Sequence, residues 1–110
     1  MNKWKILFYR TASGREPVKE FINKLADKNQ AKILHHIDLL KQYGLSLRQP
    51  YLKRVSGTSK LWELRPGVYR IFLSAFPQSK ILLVHMIIKK SQKTPKKDLK
   101  LEAKRLKEYL

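Results

Sequence analysis

Residues 61–88 read LWELRPGVYRIFLSAFPQSKILLVHMII, and this stretch decides the fold. It holds three runs rich in β-branched and aromatic residues, separated by turn signals at Pro66-Gly67 and Pro77–Ser79. The runs predict strands over Leu61–Arg65, Val68–Phe76 and Ile81–Ile88. Strands joined by such short turns pair antiparallel, so the stretch predicts a three-stranded meander at the centre of the fold.

Side chains alternate between the two faces of a sheet, which sorts the meander into an apolar and a polar side. The apolar side is expected to lie under helices and consists of Trp62, Leu64, Tyr69, Ile71, Leu73, Ala75, Leu82, Val84, Met86 and Ile88. The other side mixes charged and apolar groups, namely Glu63, Arg65, Arg70, Phe72, Ser74, Leu83, His85, Ile87 and Lys89. A cationic sheet face of this kind is a platform for a phosphate backbone.

Upstream of the meander, the pattern predicts a strand over Lys5–Arg10 and then two helices. The first helix begins at Pro17, a residue favoured at the first helical position. The second is capped by Asp27 and ends at Gly44, so that the two form a hairpin. Residues 45–60 are expected to be irregular.

Downstream of the meander, Thr94-Pro95 opens a last helix whose apolar stripe is Leu99, Ala103, Leu106 and Leu110. The element order β-α-α-β-β-β-α predicts an α+β fold, with a mostly antiparallel sheet, the helix hairpin on one face and a C-terminal helix. The length of 110 residues predicts a single domain over residues 1–110.

The chain is strongly basic, with 25 Lys or Arg against 8 Asp or Glu and a formal net charge of +17. This excess predicts a polyanionic partner, first nucleic acid and second acidic protein. Residues 29–60 carry six basic groups and one acidic group, and residues 89–110 carry nine and three, so the two segments hold +11. Charge that docks RNA is therefore expected at Arg48, Lys53, Arg54, Lys60, Lys93, Lys96, Lys97 and Lys100.

The composition also narrows the class of protein. Without cysteine, disulfides and thiolate metal sites are excluded. The apolar run at Ile81–Val84, extended by Met86–Ile88, is too short to span a bilayer, and the start of the chain lacks a signal-like apolar region. We therefore expect a cytoplasmic protein without a membrane partner.

The scarcity of carboxylates limits the chemistry. Glu63 is the only acid in the strand region and no Gly-rich phosphate loop is present, so we expect neither a metal nor a cofactor. Arg, Lys and His suit metal-free cleavage of RNA, in which the 2′-OH attacks the adjacent phosphate. A structural interpretation stays open beside this one: Arg65 and Arg70 as cross-strand partners of Glu63, and His85 as a hydrogen-bonded strand residue.

Several motifs together resemble the phage-derived HigB-like toxins of the RelE/ParE superfamily, which belong to type II toxin–antitoxin systems. The motifs are Pro17-Val18 through Phe21, Leu61–Arg65, Tyr69–Phe72, Ile81–His85, Lys89–Pro95 and Ala103–Tyr109. The resemblance covers nearly the whole chain. It implies a RelE-like fold and a ribosome-dependent endoribonuclease that cleaves mRNA in the A site and leaves a cyclic phosphate.

The resemblance also implies roles for single residues. Arg70 matches the basic residue that follows the strand tyrosine in the superfamily, and the resemblance implies that it binds the phosphate. We call this role the phosphate clamp. The basic group after the last strand matches Lys89 or Lys90, and His85 becomes the proton-transfer group. RelE-like enzymes carry lysines where this chain has Leu61 and Glu63, so Arg65 and Lys60 are the candidates to replace them.

A toxin of this family implies a cognate antitoxin, commonly a helix-turn-helix protein. Its docking sites are expected at apolar residues predicted to be exposed, Phe72, Leu83 and Ile87, together with the C-terminal stripe. Two other functions remain open on the same residues. One is a ParE-like toxin that inhibits DNA gyrase by binding, and the other is a non-catalytic RNA- or DNA-binding module.

Overall fold

A computed structural model describes residues 3–56, 60–89 and 96–109, which form a sheet with helices on both faces. The helices and strands run in the order β1 Lys5–Phe8, α1 Pro17–Asn23, α2 Asp27–Tyr43, β2 Leu52–Arg54, β3 Trp62–Leu64, β4 Tyr69–Phe76, β5 Lys80–Ile88 and α3 Lys96–Tyr109. The order of the strands across the sheet is β1-β5-β4-β3-β2. β1 runs parallel to β5, and every other neighbouring pair is antiparallel. The predicted α+β fold with a mostly antiparallel sheet is confirmed.

The helix hairpin covers one face of the sheet, as predicted. Val18 and Ile22 of α1 and Ile33, Ile37 and Leu40 of α2 pack on this face. We call it the hairpin face; its buried sheet residues are Leu52, Leu64, Tyr69, Ile71, Leu73, Ile81, Leu83 and Met86. None of the helices in the described ranges is long and apolar enough to cross a membrane.

The ends of α2 show one correct and one wrong prediction. Gly44 ends the helix with φ +57, and a Cβ at this position would collide with the indole ring of Trp4, so the glycine is required twice over. Asp27 is the first helical residue instead of the cap. Ala26 holds the cap position, and no side chain caps the helix.

The sheet has one strand more than the sequence predicted. Leu52–Arg54 lies in the segment expected to be irregular, and it pairs with β3 from Leu52 opposite Leu64 to Arg54 opposite Trp62. A strand this short leaves little periodicity in the sequence. It forms because Leu52 can join the core on the hairpin face while Lys53 and Arg54 remain exposed.

A bulge in β5 changes the predicted sorting of side chains between the two faces. Leu73 lies opposite Leu83, whereas its neighbour Phe72 lies opposite His85, so Val84 is an extra residue without a partner in β4. The extra residue turns Leu83 into the core of the hairpin face. Leu82 and Val84, which we expected there, pack with Tyr9 instead. A bulge leaves the alternation of residue types unchanged, which explains why the sequence did not reveal it.

The opposite face of the sheet, predicted to be open, is covered by α3. We call it the α3 face; it comprises Glu63, Arg70, Phe72, His85 and Ile87. Phe72 packs with Val55, Leu61 and Leu106 of α3, and Ile87 lies against the same cluster. Leu106 is buried as the apolar stripe predicted, but Ala103 is exposed. Leu110 and the opening Thr94-Pro95 lie outside the described residues.

The burial of Phe72 beneath α3 makes a measurable contribution to stability. The Phe72→Ala variant is expected to lose about 3–5 kcal/mol of unfolding free energy, because it removes a fully buried ring and leaves a cavity. Ile88→Ala, at an exposed position on the neighbouring strand, should change it by less than about 0.5 kcal/mol. Urea unfolding of the two variants measures the difference, and equal losses would contradict this packing.

Candidate functional site

The candidate site is built on a row of residues that crosses three strands on the α3 face. Glu63 on β3, Phe72 on β4 and His85 on β5 lie opposite one another in the register. Arg70 precedes Phe72 by two residues and points to the same face, in a diagonal position to His85. Such diagonal positions are about 7–8 Å apart in antiparallel sheets. The alternation in β3 and β4 thus brings one acid, one arginine and one histidine together.

Two arginines share the Glu63 carboxylate. Its Oε1 lies 3.2 Å from Nε of Arg65 and 3.5 Å from Nε of Arg70. Neither contact has hydrogen-bond geometry, so within the described ranges both Nε groups are buried without a hydrogen-bond partner. Burial and the charge of Arg65 lower the pKa of Arg70, against the opposite effect of Glu63. Two cations facing one anion leave an excess of positive charge at this point.

Arg70 is held in place by its own turn. Its Nη1 donates hydrogen bonds to the carbonyl oxygens of Gly67 and Tyr69, each at 2.7 Å. The side chain is only 12% exposed. Arg70 is thus a cross-strand partner of Glu63, as the structural interpretation holds, whereas Arg65 reaches Glu63 from two residues further along the same chain segment. The phosphate-clamp role of Arg70 stays a prediction.

His85 is engaged at both ring nitrogens by residues of α3. Nε2 lies 2.8 Å from Oδ1 of Asp98, and Nδ1 lies 3.3 Å from Nη1 of Arg105. Burial lowers the pKa of His85, and the hydrogen bond with Asp98 opposes that shift. A neutral ring then donates from Nε2 to Asp98 and accepts at Nδ1 from Arg105, which also donates to the carbonyl oxygen of Val84 at 3.0 Å.

Glu102, one helical turn after Asp98, lies inside the same contact between α3 and the sheet. It is fully buried, and neither carboxylate oxygen has a hydrogen-bond partner among the residues that the structure describes. Burial raises its pKa to about 8, and the negative charges of Asp98 and Glu63 add to the effect while Arg105 opposes it. Glu102 is therefore protonated at neutral pH.

A small cavity reaches His85 from the side of α1. Its volume is about 110 Å³, and it is lined by His85, Met86 and Arg105 together with Pro17, Val18 and Phe21. β1 pairs with β5 only as far as Leu83, and beyond that point residues of α1 and β5 together line the cavity. Water has room to enter at this point, whereas a nucleotide chain does not.

The predicted residues fall into three groups. Arg65, Arg70 and His85 lie on or beside the α3 face, and Lys89 follows the end of β5, where its backbone N–H donates to the carbonyl oxygen of Val68 at 2.7 Å. The predicted RNA-docking residues whose side chains the structure describes are all exposed: Arg48, Lys53, Arg54, Lys60, Lys97 and Lys100. Lys90, Lys93 and the side chain of Lys96 lie outside the described residues.

The prediction that Phe72 and Leu83 are exposed is wrong. Both side chains have 0% exposure, Phe72 beneath α3 and Leu83 beneath the hairpin because of the bulge. Ile87 is partly buried against the Phe72 cluster. Phe72 and Leu83 therefore offer no surface to a protein partner in this structure.

Comparison with known proteins places this site in a family. The model of the phage-derived Gp49-like proteins matches residues 20–107. The chain belongs to this Gp49-like family. The family is one of RelE/HigB-type toxins, so the chain is a phage-derived member of the RelE-like superfamily. A comparison with curated proteins gave no significant match.

The fold of this Gp49-like chain is also found in a solved structure. It is similar to a chain in the crystal structure of the archaeal RelE–RelB complex from Pyrococcus horikoshii, with a TM-score of 0.57. The two share 20% sequence identity over 78% of this chain and 93% of that one. At this identity the similarity establishes the RelE-like fold.

Three residues of the Gp49-like site were missed by the analysis of the sequence: Asp98, Glu102 and Arg105. All three belong to α3, and their spacing of i, i+4 and i+7 puts them on one side of a helix. The sequence did carry a signal, because Asp98 and Glu102 lie on one side of the predicted helix and its lysines lie on the other. The net charge of residues 89–110 conceals this separation. Their contact with His85 could not be predicted, because the sequence does not say which face of the sheet α3 covers.

Proposed function

We propose that this chain is the toxin of a type II toxin–antitoxin system, and that it cleaves mRNA on the ribosome without a metal ion. The observation that carries the proposal is the convergence of Arg65 and Arg70 on one carboxylate, on the sheet face that also holds His85. Membership of a RelE-like toxin family supports it. The protein would act in the cytoplasm, where translating ribosomes are found.

The two arginines suit the scissile phosphate. Together they exceed the charge of Glu63, and a guanidinium binds phosphate oxygens through two parallel hydrogen bonds. The turn that fixes Arg70 positions the group before the substrate arrives, which favours stabilisation of the charge that develops in the transition state. Lys89, which directly follows β5, would add charge at the same end of β4 and β5, and a role for Lys90 remains a proposal from the sequence.

His85 suits the proton transfer. In its neutral form it takes the proton of the 2′-OH, whose oxygen forms a bond to the adjacent phosphorus. The bond from phosphorus to the 5′ oxygen of the next nucleotide breaks, and that oxygen takes a proton as it leaves. The products are a 2′,3′-cyclic phosphate and a 5′-OH, and the balance requires no metal and no water.

The remaining charge suits ribosomal RNA. Exposed positive charge also lies away from the row of Glu63, Phe72 and His85. It is carried by Lys53 and Arg54 on β2 and by Lys97 and Lys100 on α3. Contacts of this type position an RNA and make its binding depend on salt.

A cognate antitoxin is part of the proposal, since the structurally similar archaeal RelE was solved as a complex with RelB. A helix-turn-helix antitoxin that inhibits a chain of charge +17 is expected to bring an acidic segment. Of the three strand residues expected at the docking site, Phe72 and Leu83 are buried and Ile87 retains exposed surface.

Expression of the toxin in cells, followed by primer extension on a defined transcript, tests the function. Wild type should arrest growth and cut the transcript at codons in the ribosomal A site, whereas Arg70→Ala should do neither. Growth arrest without cuts, accompanied by gyrase-dependent DNA breaks, would contradict the endonuclease and favour a gyrase inhibitor. RNA binding without toxicity would indicate a non-catalytic module.

Ribosome binding and mRNA cleavage should respond to different substitutions. Replacing Lys97 and Lys100 with Gln should weaken ribosome binding and lower the salt dependence by about 0.7–0.9 for each lost phosphate contact, with cleavage of bound mRNA unchanged. Arg70→Lys should leave ribosome binding within about threefold but slow cleavage, because an ammonium lacks the planar pair of donors. Binding titrations at several salt concentrations measure the first effect, and single-turnover cleavage measures the second. Lys24→Gln, directly after α1 on the opposite side of the sheet, is the control, and an equal effect there would contradict specific docking.

A further inference from the structure

The His85 ring is held between two groups of opposite hydrogen-bonding character. Its Nε2 lies 2.8 Å from Oδ1 of Asp98, and its Nδ1 lies 3.3 Å from Nη1 of Arg105. A carboxylate can only accept a hydrogen bond, whereas a guanidinium can only donate one. Both partners therefore favour the same neutral form of the ring, with the proton on Nε2 and a lone pair on Nδ1.

Asp98 makes the shorter of these two contacts, in a place with little water. The side chains of His85 and Asp98 are each only 15% exposed, so solvent screens the pair weakly. When the ring takes up a second proton, the carboxylate lies next to the new positive charge and stabilises it. Asp98 can thus assist His85 both before and after a proton is transferred.

The contact at Nδ1 can be exchanged for a reacting group. Arg105 has other contacts, because it donates to the carbonyl oxygen of Val84 at 3.0 Å and its guanidinium carbon lies 5.0 Å from the centroid of the Tyr9 ring. It therefore keeps its place when another donor binds Nδ1. The cavity of about 110 Å³ that His85 and Arg105 line has room for a water that carries a proton from a 2′-OH to the ring.

We propose that Asp98 is a positioning residue for the cleavage of mRNA: its carboxylate holds the His85 ring so that Nδ1 is the atom that takes the proton of the 2′-OH. The inference rests on the proposed function and adds the group through which His85 acts. As Nδ1 takes the proton, the 2′ oxygen bonds to phosphorus and the 5′ oxygen leaves, taking up one proton. The ring is then a cation beside Asp98, which stays ionised, and proton uptake and release balance once the ring has returned to its neutral form.

The first measurement of the test requires no variant. Nitrogen NMR of the full chain, labelled in its histidine rings, reports which ring nitrogen of His85 carries the proton, and the spectrum of His85→Gln assigns the signal. Above the pH at which the ring titrates, we expect the proton on Nε2. A proton on Nδ1 would overturn the inference.

A matched pair of variants measures the effect on cleavage. Asp98→Asn removes the charge next to His85, and Asp38→Asn removes an exposed carboxylate of α2, so the net charge changes equally. On ribosomes halted on a defined mRNA, at neutral pH, Asp98→Asn should cleave about 10- to 150-fold more slowly than Asp38→Asn in single turnover. This is the range for loss of a hydrogen bond to a charged group, about 10- to 150-fold. The two variants should bind ribosomes within about threefold of each other.

An NMR titration of His85 in the same two variants separates the charge of Asp98 from a merely structural role. Burial lowers the pKa of His85, and the hydrogen bond with Asp98 opposes that shift. Loss of the carboxylate should therefore lower the midpoint in Asp98→Asn relative to Asp38→Asn. A substitution that only loosens the contact of α3 with the sheet would admit water and raise the midpoint towards its ordinary value.

The other charged groups around the ring are the same in both variants. They are Arg105 and Glu102 from α3, Arg70 from β4 and Glu63 from β3, whereas α1 contributes Pro17, Val18 and Phe21, which carry no charge. The pKa of Glu102 is raised to about 8, so this group stays protonated while His85 titrates.

The inference and the proposed function fail in different ways. If Asp98→Asn cleaves as fast as Asp38→Asn while His85→Gln is slow, or if the midpoint of His85 rises in Asp98→Asn, the inference is wrong and the proposed function stands. If wild type leaves mRNA on halted ribosomes intact, both are wrong.

Discussion

The His85→Gln variant is expected to cleave mRNA about 10²–10⁴-fold more slowly than wild type, the usual contribution of a positioned acid–base group. Glutamine keeps a hydrogen-bonding group of similar reach next to Asp98, but it cannot take a proton. The affinity of the variant for the ribosome should stay within about threefold of the wild-type affinity. The charge proposed to bind ribosomal RNA lies at exposed lysines and arginines, away from His85. Single-turnover cleavage and ribosome binding, measured on the same samples, separate the two quantities.

His35→Gln is the matched control, since it makes the same exchange at an exposed position of α2. It should cleave at the wild-type rate. If His85→Gln also cleaves at that rate, His85 is a structural partner of Asp98 and no more. The proton would then have to move through another group.

The second large effect concerns stability and pH, and it originates at Glu102. Its pKa is raised to about 8 in the folded chain from 4.5, so the folded state binds more protons than the unfolded state between these values. Stability is therefore highest at acidic pH and falls as the pH rises through this range. The groups that face Glu102 are Asp98 and Arg105 from α3 and Glu63 from β3, with Arg65 and Arg70 beyond Glu63.

Comparison with Glu102→Gln isolates this effect. From about pH 6.5 to about pH 8.5, wild type should lose about 2 kcal/mol of unfolding free energy relative to Glu102→Gln, which cannot ionise. The neighbouring His85 titrates in both proteins, so its contribution cancels in the difference. Urea unfolding at several pH values gives the two curves.

Glu20→Gln serves as the control for the pH experiment. The pKa of Glu20 is lowered by its hydrogen bonds with Arg15, so this carboxylate stays charged throughout the measured range. Its pH curve should run parallel to that of wild type. Parallel curves for Glu102→Gln and wild type would mean that the Glu102 side chain is not buried between α3 and the sheet.

Much of the fold could be predicted because the core residues repeat with clear periods. The period of two in β4 put Arg70 and Phe72 on one side and Ile71 and Leu73 on the other, as observed. In β5 the same reasoning failed at Leu83. The bulge at Val84 arises from the geometry of pairing, and the alternation of residue types carries no trace of it.

The site residues that lie on strands could be predicted from the sequence, whereas those on α3 could not. Arg70 and His85 followed from alternation and from the resemblance to a toxin family, and both lie on the same face. The closure of that face by α3 depends on long-range packing of Leu106 against Phe72. The acidic residues of the basic C-terminal segment entered the analysis of the sequence only as part of its net charge, although Asp98 contacts His85 and Glu102 is buried beside it.

The central claim is that this Gp49-like chain cleaves mRNA through the basic face of its sheet. Its most direct test is incubation of the purified toxin with ribosomes halted on a defined mRNA, followed by analysis of the RNA ends. The account predicts a cut at the A-site codon that leaves a 2′,3′-cyclic phosphate and a 5′-OH, with the cut absent from Arg70→Ala. Intact mRNA at saturating toxin, or a cut that persists in Arg70→Ala, would contradict it.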